Sequence, residues 1–449
     1  DTIAASNAIF IDVGAATNGT GTQASPYDNW YSARDSLAVT DRVMYVKGLM
    51  VPDGTDAVAM SLNVRHLAVK GTFEGRTSES QRLVIRNWPS FVGGIDGGGQ
   101  TNVAGFACDA QSSSTNTVRY ITFKGLTFTN LDNSAGTVDS GVVYALRLRG
   151  DKIFGGTAPV EHFTLEGAAI DGVLSGANST SAVWYNEQAD HLKMWNCSVT
   201  NTTYALKAKP NLHAFESYGT GFVSLQSNTL SSTAGGFYEK EGYKVGVGVG
   251  VSSRFNILNS GQILLSTQGT SPLMDFHIMT NNIFASTNET SHSTPIGLTQ
   301  SSTSFVSTKT QIASNTFYNY NISSLGHITT TAAGYEGLIM FNNIFNESAV
   351  AIRIEPSTDT PEYWDYNFYQ NNILTNQPRV ANAAFPLIDI ATLQSTSSFA
   401  QNSTSGNPVF SNAGTGDFTL ASGSPALTGG VSGTQQGAYT ASFITIGAN

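Results

Sequence analysis

The sequence predicts an all-β fold, a right-handed parallel β-helix with a short N-terminal capping helix, and three observations lead there. The first is a returning phrase, an Asn followed by a β-forming pair: Asn196-Cys197, Asn228-Thr229-Leu230, Asn256-Ile257-Leu258, Asn282-Ile283-Phe284, Asn315-Thr316-Phe317, Asn343-Ile344-Phe345 and Asn372-Ile373-Leu374. Its Asn residues are 32, 28, 26, 33, 28 and 29 apart, a period that signals a solenoid. The second is local chemistry. The repeats are rich in Thr, Ser, Asn, Val and Ile, and their apolar positions alternate with period two, which suits strands and no helix. The third is composition: 45 Gly for tight turns and only 12% charged residues. One repeat cannot bury its own apolar face. Stacked repeats can, with Asn ladders at the turns.

The elements follow in order. Ala8-Ile9-Phe10-Ile11-Asp12-Val13 reads as a strand, and a Gly/Ser/Pro loop runs to Pro26. Trp30, Ala33 and Leu37 fall at helical spacing, so a short amphipathic helix is expected to cap the open end of the solenoid. Arg42-Val43-Met44-Tyr45-Val46 returns to strand, completing a cap over residues 1–50. The coils occupy 51–400. Leu67-Ala68-Val69, Leu83-Val84-Ile85 and Ile121-Thr122-Phe123 open them, and residues 132–156 interrupt the rhythm as a loop leaving the wall. Residues 401–449 form a terminal strand module, through Asn407-Pro408-Val409-Phe410, Asp417-Phe418-Thr419-Leu420 and Gly423-Ser424-Pro425-Ala426-Leu427. No linker divides the chain, so 1–449 is expected to be one domain.

Bulk properties narrow the function. A net charge of −10 argues against a nucleic-acid binder. No apolar run is long enough to span a membrane. The chain starts at Asp1, which suggests a mature secreted form whose leader was removed. Cys108 and Cys197 are too few for a disulfide scaffold and read as buried thiols. A monomer acting on a polysaccharide is the expectation.

The candidate chemistry lies between residues 185 and 254. Lys193, Lys207, Lys209, Lys240, Lys244 and Arg254 cluster here with Glu187, Glu216, Glu239 and Glu241. Tyr185, Tyr204, Tyr218, Tyr238, Tyr243, His191 and His213 are interleaved with them. After Arg254 only Lys309, Arg353 and Arg379 remain, against ten carboxylates. Lys207 and Lys209 precede Glu239 and Glu241 by 32 residues, the interval from Asn196 to Asn228, which would stack each lysine beneath a glutamate. Adjacent strands lie about 4.8 Å apart and i, i+2 residues about 6.6 Å, giving a two-by-two array that Glu187 could extend.

Such a wall suits two reactions. In β-elimination a cation neutralises the uronate carboxylate, a base removes the acidified C–H proton, and an acid protonates the leaving oxygen. Lys240 is the first choice as base, then Lys244, with Arg254 as neutraliser and Tyr238 as acid. Lys207, Lys209, His213, Tyr185, Tyr243 and Glu187 would bind the polymer. In hydrolysis, Glu239 and Glu241 would act as acid and base, since inverting enzymes separate the two by about 6.5–9.5 Å. A third class is a non-catalytic glycan-binding or spike-like solenoid. Trp184 and Trp195 suit either sugar stacking or the core. Glu355, Asp359, Glu362 and Asp365 form a loose acidic group better suited to a solvated loop than to a cation.

Several phrases resemble secreted right-handed β-helix proteins of the polysaccharide lyase type. They are Gly21-Thr22-Gln23-Ala24-Ser25-Pro26-Tyr27, Asp41-Arg42-Val43-Met44-Tyr45-Val46-Lys47-Gly48, Leu83-Val84-Ile85-Arg86-Asn87-Trp88-Pro89 and Ile95-Asp96-Gly97. Glu239-Lys240-Glu241 resembles the family-6 polysaccharide lyases, which act on alginate and dermatan-type chains and place a Glu-x-Glu pair beside a catalytic Lys. That resemblance implies calcium on the carboxylates; the residues themselves define no metal-ligand set. The family's Arg-His-Gly phrase is replaced here by Leu264-Leu265-Ser266-Thr267-Gln268-Gly269, and Lys207 stands where it has a metal-holding Asn. Paired acids on one strand also resemble β-helix carrageenases.

Overall fold

Alternating apolar residues and tight turns give a chain built almost wholly of short parallel strands. The computed structural model describes residues 7–52, 65–69, 73–100, 103–109, 117–133, 143–149, 160–175, 181–187, 192–200, 212–218, 221–226, 229–231, 243–245, 249–254, 257–259, 263–267, 273–274, 277–285, 296–300, 306–307, 310–319, 328–330, 338–346, 352–354, 361–370, 379–382 and 385–438, some strands as backbone alone. The chain divides into two compact units, residues 1–224 with 232–234, and residues 225–231 with 235–449.

The first unit contains three parallel ladders. Ala8–Asp12, the first half of Val43–Met50, Leu83–Asn87, Val118–Lys124, Val160–Glu166 and Leu192–Trp195 pair in order as the first. The second takes the end of Val43–Met50, then Gly93–Asp96, Thr127–Asn133, Ala169–Ser175 and Ser198–Thr200. Arg65–Ala68, Val103–Asp109, Val143–Arg149, Ser181–Glu187 and Leu212–Tyr218 make the third. The chain visits the ladders in fixed rotation. Side-chain alternation then sends Ile85, Phe123, Leu165 and Met194 inward, all fully buried. Within 132–156, where an interruption is expected, Val143–Arg149 is a regular strand in register with both neighbours, and residues 134–142 and 150–156 lie outside the described residues. Its alternation was hidden by Arg147 and Arg149, polar residues on an otherwise apolar strand.

The N-terminal helix forms as expected, at Trp30–Ser36. Asn29 caps it, its side chain accepting from the Ser32 N–H at 2.9 Å, and Trp30 and Ala33 are buried. The Trp30 indole donates to the Ala68 carbonyl at 3.1 Å and lies against Phe73 and Phe106. The helix is thereby fastened over the third ladder.

In the second unit, Val249–Arg254, His277–Thr280, Thr310–Ala313, Leu338–Phe341 and Tyr363–Asp365 pair in one parallel ladder. Thr229–Ser231, Ile257–Asn259, Ile283–Ala285, Thr316–Tyr318, Ile344–Asn346, Phe368–Tyr369 and Thr404–Ser405 form another. A third runs from Tyr243–Val245 through Ile263–Thr267, Ile296–Gln300, Ile328–Thr330 and Ile352–Ile354 to Arg379–Asn382. Phe385–Asp389 closes this ladder antiparallel and leads into a second helix, Ile390–Thr396, that the Thr- and Ser-rich sequence did not disclose. The terminal module is a hairpin, Phe410–Asn412 with Asp417–Leu420, followed by a 3-10 turn at Pro425–Leu427. Phe418 packs on Ile283 and Ala285, and Leu420 on Ile344 and Phe368.

The Asn ladder is present and buried. Asn315 Oδ1 accepts from the Asn282 N–H at 2.9 Å and from its Nδ2 at 3.0 Å. Asn315 donates in turn to Asn343 Oδ1, and Asn343 to Asn367 Oδ1. The Asn367 N–H ends on Ser403 Oγ at 3.0 Å. The fourth rung is therefore Asn367-Phe368-Tyr369; Asn372 lies outside the described residues. The phrase's last residues, Phe284, Phe317, Phe345 and Tyr369, stack inside at 5.0, 4.9 and 5.3 Å between centroids.

Candidate functional site

Backbone register decides which candidates meet. In the first unit, Tyr185, Glu187 and His213 lie on the third ladder, with Tyr185 beside Glu216, Glu187 beside Tyr218 and Ala182 beside His213. On the opposite side of the same strand, Arg147 is beside Tyr185 and Arg149 beside Glu187. Two guanidinium-bearing positions two residues apart thus face a phenol position and a carboxylate position at one strand spacing, about 4.8 Å. Arg147 is only 5% exposed, and its guanidinium lies 5.8 Å from the Tyr144 ring. A cation removed from water acts more strongly on a neighbouring charge than one in solvent. Sequence reasoning missed both arginines because it treated 132–156 as a loop; the alternation of Tyr144, Leu146 and Leu148 was the available signal.

In the second unit, Tyr243 and Lys244 lie on Tyr243–Val245, where Lys244 is beside Leu264. Arg254 ends a strand of a different ladder, beside Thr280. The structure therefore does not bring Arg254 onto the ladder of Tyr243 and Lys244. Tyr238, Glu239, Lys240, Glu241, Lys207 and Lys209 lie outside the described residues. Asn196 has φ 53 and is exposed, while Cys197 is buried behind it. In the later coils Asn281, Ser314 and Asn342 hold that left-handed turn position, and Asn282, Asn315 and Asn343 follow as the inward residues. Cys197, not Asn196, is the counterpart of those inward residues.

Both cysteines are free and buried. Burial pushes the Cys197 thiol up to about 12, so it is inert as a nucleophile. Of the loose acidic group, Glu355 and Asp359 lie outside the described residues. Asp365 Oδ1 accepts from the Asn402 and Tyr366 N–H groups at 2.7 and 2.8 Å, a structural role. Among the described residues, no set of three or more His, Cys, Asp or Glu side chains is placed to hold a metal.

A second polar cluster is a stitch. Tyr120 and His162 both have left-handed backbone, φ 57 and 58, and their rings stack at 4.5 Å. Arg82 donates to Glu79 Oε2 at 2.7 Å, Thr122 Oγ1 at 3.1 Å and the His162 carbonyl at 3.0 Å, and its hydrogen bonds hold Glu79 below the usual carboxylate range. Committed to those partners, Arg82 fastens three strands.

No protein-family model matches this sequence, and neither does any curated protein.

Proposed function

We propose that this chain is a secreted right-handed parallel β-helix that cleaves an acidic, uronate-containing polysaccharide by β-elimination. Parallel ladders visited in rotation support the coil, because parallel neighbours require a crossover and such crossovers are right-handed in nearly all proteins. The observation that carries the reaction is the register of Arg147 and Arg149 against Tyr185 and Glu187. In this reading the positive charge at these two positions offsets the sugar carboxylate and acidifies the adjacent C–H, Arg147 acting through the field of its buried charge rather than by contact. A base takes that proton, the electron pair forms the new C=C bond, and the glycosidic oxygen leaves with a proton from an acid. Tyr185 serves as one such group.

The test is a screen of the purified protein against alginate, pectate, glycosaminoglycans, ulvan and carrageenans, with and without a chelator. Ultraviolet absorbance of unsaturated uronate and new reducing ends are recorded together. Both rise for a lyase, and Tyr185→Phe lowers the rate while the fold persists. Reducing ends without absorbance would replace elimination by hydrolysis through Glu239 and Glu241. Silence on every polymer would leave a binding solenoid.

A further inference from the structure

We infer that the outward face of the first ladder in the first unit is a separate, non-catalytic docking strip for a carboxylated polysaccharide. Register aligns Phe10, Tyr45, Arg86, Lys124, Glu166 and Trp195 in one column across six successive strands. Their sequence neighbours Met44, Ile85, Phe123, Leu165 and Met194 are buried at 0%, so alternation turns Tyr45, Arg86, Lys124, Glu166 and Trp195 away from the core, while Phe10 at the end of the column is 7% exposed and backs the Tyr45 and Trp88 rings. At about 4.8 Å per strand the column runs about 24 Å, long enough for several sugars of an extended chain.

Its chemistry differs from an ordinary solvated sheet face. Aromatic rings occupy both ends. Phe10 stacks on Tyr45 at 5.0 Å and meets Trp88 at 5.0 Å, and Phe91 beyond it is 46% exposed. At the other end Lys193 sits 4.3 Å above the Trp195 ring and has no carboxylate partner among the described residues. Between them Arg86 and Lys124 outnumber Glu166, which pairs with Lys124 at 2.8 Å. With Lys193 the strip carries three cations to one carboxylate, in a chain of net charge −10. Aromatic faces suit the C–H faces of pyranose rings, and the cations suit their carboxylates. A local positive strip would also offset the repulsion of a polyanion by the rest of the molecule.

The strip is independent of the elimination reading, since binding is measured without turnover. Affinity electrophoresis and titration calorimetry of the full chain with alginate and polygalacturonate, and with neutral dextran and single-stranded DNA as controls, test it. The Lys193→Ala/Trp195→Ala variant should bind the acidic polymers 5- to 10-fold more weakly, with a shallower salt dependence and unchanged cleavage of short oligosaccharides if the protein cleaves at all. Lys193→Glu, a single charge reversal at a half-buried position, should give the same direction if the double variant melts early. Unchanged affinity in both variants, no binding of wild type to either acidic polymer, or a larger loss for DNA than for polysaccharide would each overturn the strip. Wild type that binds the acidic polymers and yields no unsaturated product would instead count against the elimination reading and leave the strip standing.

Discussion

The two units turn the same corner with different chemistry. Between its first and second ladders, the first unit places Gly125, Gly167 and Asn196 in the left-handed region, each followed by an apolar buried residue, Leu126, Ala168 or Cys197. At the corresponding corner the second unit uses Asn281, Ser314, Asn342 and Tyr366, each followed by a buried Asn. Backbone geometry is shared, but the inward side chain is not. An apolar corner leaves the backbone groups there to one another. An Asn corner supplies one acceptor and two donors per coil, and the amides bridge coils as a continuous buried chain. Repetition of a turn therefore requires only the left-handed residue; the Asn adds a polar spine that must be complete.

The sharpest way to break that comparison is to remove one rung. Asn315→Leu takes away the acceptor for two Asn282 donors and the Nδ2 donor that reaches the Met279 carbonyl at 2.9 Å. It also takes from Asn343 Oδ1 the bond donated by Asn315 Nδ2, leaving only the one from the backbone N–H. Buried groups left without partners cost about 1–3 kcal/mol each, so a loss of about 3–5 kcal/mol is expected. Chemical denaturation gives the total, and amide exchange in strand Thr310–Ala313 should quicken. The matching change in the first unit, Ala168→Leu, should act only through volume; a spine-like loss there would refute the distinction.

Cys197 sits where the two devices meet in chemistry. Its thiol donates to the Leu165 and Trp195 carbonyls, both at 3.4 Å. These are the places taken by Asn367 Nδ2, which donates to Met340 and Asp365 carbonyls at 3.3 and 3.1 Å. The sulfur thus acts as a weak Asn. Cys197→Ala should cost about 1–2 kcal/mol, whereas Cys197→Asn should stay within about 1 kcal/mol of wild type. Equal losses for the two variants, measured by denaturant midpoint, would show that volume alone matters. The raised thiol value adds a pH signature. The folded value exceeds the ordinary 9.0, so the thiol's contribution is whole below pH 9 and fades as pH rises toward about 12. Cys197→Asn should remove that alkaline decline.

Much of this was legible in the chain because identical devices recur at similar intervals. Asn282, Asn315 and Asn343 announced the spine, and Trp30, Ala33 and Leu37 announced the helix. What stayed hidden was phase and exception. Asn196 looks like a rung because left-handed turns and amide ladders both select Asn, for different reasons. Asn367 was passed over for Asn372 because Phe368-Tyr369 is less aliphatic than Ile373-Leu374. Arg147 and Arg149 concealed a strand because arginines are rare enough in buried strands that their polarity reads as loop. Of the candidate residues, Tyr185, Glu187 and His213 share one ladder, and a ladder change separates Arg254 from Lys244 in a way no linear count reveals.

The smallest effect concerns a charged stitch in the first unit. Asp96 Oδ1 accepts from the Gly98 N–H at 2.9 Å and from Asn130 Nδ2 at 2.9 Å, tying adjacent strands of the second ladder. Those bonds, the Gly98 N–H foremost, hold its carboxyl below the ordinary 3.8. A lowered folded value means that the carboxylate stabilises the fold fully above 3.8 and that this contribution is lost as pH falls through the folded value. The second unit's spine is built of neutral amides and has no such dependence. Asp96→Asn retains an acceptor oxygen but cannot titrate. Its denaturation midpoint should fall less steeply than wild type below about pH 4, while Asn315→Leu should keep the wild-type slope at a lower level throughout. An acid slope changed by Asn315→Leu and untouched by Asp96→Asn would reverse the assignment of charged stitching to Asp96 and neutral stitching to the Asn spine.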